Sequence, residues 1–296
     1  MRKLLLVAVA VLMGSTAGQA QPAPTLDKIE VNGASLIYET QGQGTPVVFV
    51  HGSPGDHRSW EGEREGIAQG HRFIAVDLRY FGAAPWTDDG AKFSIATHAD
   101  DLAAFIAGLK VGQVTLVGWS YGAAVALVAA VQHPELVGGL FLYEPALTTF
   151  VTDAADAKLA TDDRKDMLAP VIAAAKAGDL EGAARMVPDR VTGEPGTFAT
   201  LPAAVQASLI DNARIFKVSF SAPPAPKITC EQLGEVKARV VIARGQDTRA
   251  FYRIAAETAH RCMPGSRLIV VPHARHVWPA QDPAAFDAAL LAFLGG

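Results

Sequence analysis

A lone serine, Ser120, lies between two glycines in the stretch VGWSYGAA, residues 117–124. The residues before it are apolar and typical of a buried strand, and those after it are small and suited to a helix. Gly-x-Ser-x-Gly at a strand-to-helix turn holds a serine hydroxyl on a strained elbow, beside the backbone N–H groups of the helix start. The stretch therefore predicts a serine nucleophile, with Gly118 and Gly122 avoiding clashes against neighbouring backbone.

A serine nucleophile needs a base that takes its proton. Among the eight histidines of the chain, His273 and His276 lie in VVPHARHVWP (270–279), directly after the last strand-like run. Sites of this kind form in the loops that follow the carboxyl ends of parallel strands. We predict that His276 is the base, because its loop continues into the terminal helix, and that His273 is a neighbouring loop residue.

The base in turn needs a carboxylate that holds its tautomer. Asp247 in ARGQDT follows the strand-like run at 239–244, and Glu144 in LYEPA follows the run at 138–143. Either residue gives the chain order serine, acid, histidine. We favour Asp247, because the strand directly before the histidine's strand is the commoner donor, and Glu144 stays open as the alternative.

Stabilising the oxyanion of an attacked carbonyl requires two backbone N–H groups aimed at one point. We predict that Tyr121, next to the nucleophile, supplies one of them. Ser53 is predicted to supply the other, because HGSPGDHRSW (51–60) has two glycines and a proline in five residues and so forms a tight turn. Trp119, which precedes the nucleophile, is predicted to contact the substrate.

These residues need a sheet to position them, and short apolar runs predict its strands. The stretch KIEVNGASLIYETQG (28–42) alternates apolar and polar residues around an Asn-Gly pair and predicts a hairpin. The apolar runs lie at 46–50, 71–78, 114–119, 138–143, 239–244 and 267–271. Helical patterns separate several of them, at 95–110 and 122–134, and another ends the chain at 282–294. This alternation predicts a mainly parallel sheet with helices on both faces.

Residues 147–225 break the alternation. They are rich in alanine and aspartate, and no strand-like run interrupts their helical pieces. We predict a helical cap inserted between two strands, which leaves 21–146 and 226–296 as the core of the fold.

The amino terminus has the pattern of a secretory signal peptide. Arg2 and Lys3 precede a short apolar stretch, and small residues then lead to Ala20. We expect cleavage after Ala20 and a periplasmic or secreted mature protein. In such an oxidising compartment Cys230 and Cys262 could form a disulfide, and two buried thiols are the equal alternative.

Charge and composition limit the classes of binding partner that we expect. The formal net charge is −4, and no run of like charge stands out along the 296 residues. We therefore expect no nucleic acid and, for the mature form, no membrane as partner. The sequence leaves the oligomeric state open.

The motifs HGSPG, DLRYFG (77–82), GWSYG and HARH occur in the order and spacing of the α/β-hydrolase superfamily, which the chain resembles over about residues 28–296. The resemblance implies an eight-stranded, mainly parallel sheet flanked by helices, with the cap inserted after strand 6. It also implies catalysis without a cofactor or a metal. The chain departs from the family pattern at Tyr80, where relatives often carry glycine, and in the shortness of RGQDT, which keeps Glu144 open as the acid.

By this resemblance the chain is expected to be an exported serine hydrolase that attacks a small-molecule acyl substrate, a small or medium hydrophobic carboxylic ester fitting best. Epoxide hydrolases and haloalkane dehalogenases on the same fold carry aspartate at the elbow, so Ser120 favours acyl transfer to water. The alternatives are a ligand-binding receptor or sensor with little turnover, and a cofactor-free perhydrolase.

Overall fold

Eight strands form one sheet in the part of the chain that the computed structural model describes, residues 22–295. In chain order they are β1 (Thr25–Val31), β2 (Ala34–Gln41), β3 (Pro46–Val50), β4 (Arg72–Val76), β5 (Val114–Trp119), β6 (Val137–Tyr143), β7 (Arg239–Gly245) and β8 (Arg267–Val271). Across the sheet their order is β1-β2-β4-β3-β5-β6-β7-β8. The predicted signal peptide, 1–20, lies outside the described residues.

The sheet is mainly parallel, as predicted. The β1–β2 hairpin pairs antiparallel with itself and with β4, and every later pairing is parallel. The carboxyl ends of β3, β5, β6, β7 and β8 therefore meet at one edge of the sheet, where the loops that follow them can converge.

Helices connect the strands and cover both faces. They are α1 (Glu61–Ala68), α2 (Ile95–Leu109), α3 (Tyr121–Gln132), α4 (Ala154–Lys176), α5 (Leu180–Thr192), α6 (Thr197–Thr200), α7 (Ala203–Asp211), α8 (Cys230–Gly234), α9 (Ala250–Cys262), α10 (Trp278–Gln281) and α11 (Pro283–Leu294). Within residues 22–295, none is both long enough and apolar enough to cross a membrane.

Strand β3 shows why continuous apolar runs become central strands. All five of its residues are buried, because helices cover the sheet on both sides. Val48 and Val50 point into one core, which includes Leu102 of α2, whereas Val47 and Phe49 point into the other. Side chains alternate between the two faces of a strand, so both sets must be apolar.

The segment between β6 and β7 is helical. It holds α4 to α8 and two short 3-10 helices, and none of its described residues forms a strand. Its ties to the rest of the chain include two ion pairs: Asp163 of α4 accepts from Arg249 at 2.6 Å, and Asp211 of α7 accepts from Arg58 at 2.8 Å. The predicted limits of a separate cap, 147 and 225, stay a prediction.

A disulfide joins the two cysteines. Cys230 opens α8 and Cys262 closes α9, with their Cα atoms 4.9 Å apart. Of the two alternatives that the sequence left open, the structure contains the bridge. It links the return from the helical segment to the helix that follows β7.

Candidate active site

Ser120 adopts a strained backbone at the junction of β5 and α3. Its φ of 56° and ψ of −114° lie in a region that residues with a side chain rarely occupy. Its N–H donates to the carbonyl of Tyr143 at 2.9 Å, and its own carbonyl accepts from Ala146 at 3.0 Å. The neighbouring strand thus fixes the turn that presents the serine side chain.

The two glycines of the motif are required by close backbone packing. A Cβ on Gly122 would lie 2.2 Å from the carbonyl oxygen of Val50 and 2.4 Å from that of His51. A Cβ on Gly118 would lie 2.6 Å from the Cα of Ala123. Any side chain at either position would push the elbow away from β3 or from the first turn of α3.

His276 is paired with Glu144. Its Nδ1 lies 2.5 Å from Oε2 of Glu144, and both residues are buried. The glutamate also accepts from the N–H of Gly245 at 2.8 Å and from the hydroxyl of Thr248 at 2.9 Å. Three donors therefore hold the carboxylate in place, and its hydrogen bond to Nδ1 leaves Nε2 of His276 available for proton transfer.

Asp247, the acid that we favoured from the sequence, does not reach His276. It is exposed, its N–H donates to the carbonyl of Ala274 at 3.1 Å, and no hydrogen bond within residues 22–295 joins its carboxylate to the imidazole. Glu144 takes the position because it leaves β6 with a φ of 48° and its longer side chain extends to the end of β7. Of the two alternatives for the acid, the structure therefore pairs Glu144 and not Asp247 with His276.

Tyr252 is a contact of this site that our sequence reasoning missed. Its ring stacks on His276 with centroids 3.7 Å apart and planes 15° apart. Nothing in RAFYRIAAE separates this tyrosine from one that only packs a helix against a sheet.

Trp119 anchors the histidine loop. Its indole N–H donates to the backbone carbonyl of His276 at 2.8 Å, and it is almost fully buried. This contact brings the loop after β8 next to the elbow after β5. The predicted contact of Trp119 with substrate stays a prediction.

The HGSPG loop lies beside the nucleophile. A Cβ built on Gly52 would be 3.4 Å from that of Ser120, and a turn is closed by the N–H of Gly55 donating to the carbonyl of Gly52 at 2.8 Å. The backbone N–H groups of Ser53 and Tyr121 donate to no other residue in the described range. Both remain available for an oxyanion, the role that we predicted for them.

Two buried histidines support this region without charge. His51 accepts from the N–H of Leu78 at 3.1 Å, which ties the HGSPG loop to the DLRYFG loop, and burial lowers its pKa. His98 contacts the hydroxyl of Tyr121 through Nδ1 at 2.7 Å, and burial lowers the pKa of His98 to about 3. Both imidazoles are therefore neutral at pH 7.

Asp56, His57 and Asp77 form the one cluster, among the residues described, that has the spacing of metal ligands. Arg58 donates to both carboxylate oxygens of Asp56, from Nη2 at 2.6 Å, and Asn212 donates to the same carboxylate at 2.8 Å. The carboxylate of Asp56 is thus already satisfied by a guanidinium and an amide. The cluster serves as a polar tie between loops.

Known proteins resemble the chain in sequence. A family model described as the alpha/beta hydrolase fold matches residues 45–278. The chain is 33% identical over 114 residues to an epoxide hydrolase from Caballeronia sordidicola, covering 38% of this chain and 35% of that protein. It is 26% identical over 276 residues to a pimeloyl-acyl-carrier-protein methyl ester esterase from Nitrosomonas europaea, covering 86% and 99%. The first curated relatives are thus matched over about a third of their own length.

The fold also has solved counterparts. A thermophilic esterase from Thermogutta terrifontis superposes with a TM-score of 0.71 at 23% identity, and the alignment covers 91% of this chain and 98% of that one. At this identity the likeness concerns the fold alone.

Proposed function

The chain belongs to the α/β-hydrolase family, and from that premise we propose that it is a serine hydrolase of a small or medium hydrophobic carboxylic ester. The observation that carries the proposal is the strained turn at Ser120 beside the buried His276–Glu144 pair. A fold of this kind serves many functions, so the assignment rests on the site.

In the proposed reaction Ser120 Oγ attacks the ester carbonyl carbon while its proton passes to Nε2 of His276. Glu144 stabilises the imidazolium that forms, because its carboxylate lies against Nδ1. The oxyanion accepts from the N–H groups of Ser53 and Tyr121, each such donor contributing about 3 kcal/mol in the transition state. His276 returns the proton to the departing alkoxide. Water, activated by the same histidine, then releases the acid.

The proposal of an ester substrate has two supports. Serine at the elbow forms an acyl-enzyme with an ester, whereas an elbow aspartate suits the opening of an epoxide. The relative from Nitrosomonas europaea, aligned over 99% of its length, is named a methyl ester esterase. A screen of esters is needed to identify the acid and alcohol parts of the substrate.

The first test compares the mature protein with Ser120→Ala. We expect a fluorophosphonate probe to label the wild type alone, and p-nitrophenyl ester hydrolysis to fall at least about 1,000-fold in the variant. Tm should stay close to that of the wild type, because one hydroxyl is removed from a partly exposed site. Equal hydrolysis by the two proteins would refute the mechanism.

A wild type that resists the probe yet binds hydrophobic small molecules would instead favour a ligand receptor. Isothermal titration with the p-nitrophenyl esters, using Ser120→Ala as the matched protein, separates binding from turnover. The same pair of proteins therefore also tests the hypothesis that the chain is a ligand receptor.

We also propose that the protein is exported and acts in the periplasm or outside the cell. The basic start and short apolar stretch of residues 1–20 support this location, and so does the Cys230–Cys262 disulfide, which suits an oxidising compartment.

A further inference from the structure

Tyr252 lies against the proposed base. The residue is 3% exposed, and its ring lies flat against the imidazole of His276 at 3.7 Å. Glu144 meets the same imidazole at Nδ1. One face of the base is therefore covered by an aromatic ring while its edge is held by a carboxylate, which leaves the imidazole little freedom to rotate.

The ring that covers His276 is uncharged at neutral pH. Burial raises the pKa of Tyr252, and the nearby Glu144 carboxylate raises it further. The phenol therefore presents a neutral aromatic face to the imidazole.

The backbone around Tyr252 is fixed from another part of the molecule. Asp163 of α4 accepts from the N–H of Phe251 at 2.9 Å and from Arg249 at 2.6 Å, so it caps the start of α9. The ring of Phe251 meets that of Tyr252 edge to face at 5.0 Å. The tyrosine is therefore held before substrate arrives, as preorganisation requires.

We propose that Tyr252 is a positioning residue for acyl transfer: its ring stacks on the His276 imidazole and fixes the plane of that imidazole. The proposal rests on the proposed function of the site. It adds a fourth side chain, contributed by α9, to the serine, histidine and glutamate.

The test separates ring from hydroxyl with Tyr252→Leu and the conservative variant Tyr252→Phe. Loss of the ring should lower kcat for a p-nitrophenyl ester about 100-fold, because the base is then misplaced. Tyr252→Phe keeps the stacked ring and should restore most of this rate. KM should change by less than about twofold in both, since the ring is not proposed to bind the ester in its ground state.

Tyr38→Phe and Tyr38→Leu are the matched controls. Tyr38 is also buried and bonds an aspartate through its hydroxyl, but it lies in β2 and its ring packs against that of Phe105 rather than against His276. These variants should lower Tm like their counterparts at position 252 while retaining kcat. If the Tyr38 variants lost as much kcat as the Tyr252 variants, the loss at Tyr252 would be explained by lower stability alone.

A spectroscopic measurement keeps the proposal testable without turnover. The short His276–Glu144 hydrogen bond should give a far-downfield proton NMR signal that Glu144→Gln removes. We expect Tyr252→Phe to keep this signal and Tyr252→Leu to broaden it, because water then reaches the uncovered imidazole face.

The outcomes are distinct. If the wild type is labelled by a fluorophosphonate and Tyr252→Leu matches it in kcat and NMR signal, the positioning role is overturned and the serine hydrolase stands. A Tyr252→Phe variant as slow as Tyr252→Leu would also overturn it, because the hydroxyl and not the stacked ring would then be the group required. An unlabelled wild type overturns the proposed function, and the NMR signal still decides whether the ring positions His276.

Discussion

Glu144 is the charged residue on which the proposed site depends most. Its carboxylate is buried, and it accepts from Gly245, Thr248 and the imidazole of His276. A buried carboxylate in such a position fixes the tautomer of the base and balances the imidazolium charge. A neutral amide of the same shape would do neither, because it offers one oxygen and presents an N–H group toward another donor.

We therefore expect Glu144→Gln to lower kcat for ester hydrolysis by about 1,000- to 10,000-fold. Asp247→Asn is the matched control, since it neutralises an exposed carboxylate at the end of the adjacent strand, and its kcat should stay within about twofold of wild type. Steady-state kinetics on one p-nitrophenyl ester measures both. A large loss in the Asp247 variant with a mild one in the Glu144 variant would return the acid to Asp247.

Gly122 gives a second prediction at the scale of one residue. An added methyl would meet the carbonyl oxygens of Val50 and His51 at 2.2 and 2.4 Å, and these are backbone atoms of a central strand end. Gly122→Ala should lower the free energy of unfolding by about 1–3 kcal/mol and should move the elbow away from the HGSPG loop. Gly70→Ala is the control, because no atom lies within 4 Å of a Cβ there. Denaturant unfolding and fluorophosphonate labelling should both distinguish Gly122→Ala from Gly70→Ala. Equal free energies of unfolding and equal labelling would show that the backbone at the elbow can shift to accept a methyl group.

At the scale of elements, α1 and α11 meet through two carboxyl groups. Glu63 of α1 is buried, and Asp287 of α11 lies against the same helix, so that a Cβ on Gly66 would be 2.1 Å from its carboxylate. Burial raises the pKa of Asp287 to about 7, and burial together with Asp287 raises that of Glu63 well above its ordinary value. Folding thus favours the protonated carboxyls.

The sign of the pH dependence follows. A carboxyl whose pKa is raised on folding contributes stability that is complete below its unfolded value, about 4, and that is lost as pH rises through the folded value. We expect Tm to fall between pH 5 and pH 8, a window set by the pKa of about 7 for Asp287. Asp287→Asn should flatten this fall and raise Tm at pH 8 by a few degrees. Glu65→Gln, which removes an exposed charge from α1, should leave the change of Tm with pH as it is in the wild type. If both substitutions flattened the fall in Tm equally, net charge and not the buried carboxyl would be its cause.

The disulfide acts between α8 and α9. It closes a loop with a sequence separation of 32 residues, and α9 carries Tyr252 at its other end. Cross-linking a loop of this size stabilises a fold by about 2–4 kcal/mol, chiefly by restricting the unfolded chain. The double variant Cys230→Ser, Cys262→Ser should therefore unfold at a lower temperature in calorimetry. Its kcat at 25 °C should stay close to wild type, because Asp163 holds the start of α9 independently of the bridge.

For the whole molecule, hydrophobic pattern was enough to predict the sheet but not the details of the site. Strands that helices cover on both faces consist mostly of consecutive apolar residues. The strands β3, β5 and β7 could therefore be located from the sequence pattern alone. The places of Ser120 and His276 in the loops after β5 and β8 could be predicted because each follows such a run. Glu144 could not be preferred over Asp247, because the choice depends on a positive φ that sequence does not reveal. Tyr252 could not be found, since an aromatic on the buried face of α9 is what packing also requires.

The proposed export also concerns the whole molecule, and the disulfide makes this proposal testable. Thiols stay reduced in a bacterial cytoplasm and pair in the periplasm, so the compartment decides whether the Cys230–Cys262 bridge can form. We expect the full-length chain, expressed in a Gram-negative bacterium, to be recovered from the periplasmic fraction beginning at Gln21. Its intact mass should be two hydrogens below that of the dithiol, and alkylation should modify neither cysteine. The same chain expressed without residues 1–20 should stay in the cytoplasm with both thiols alkylated, and it should unfold at a lower temperature until it is oxidised. A protein that keeps residues 1–20, or a bridged protein from the reducing cytoplasm, would contradict the link between export and the bridge.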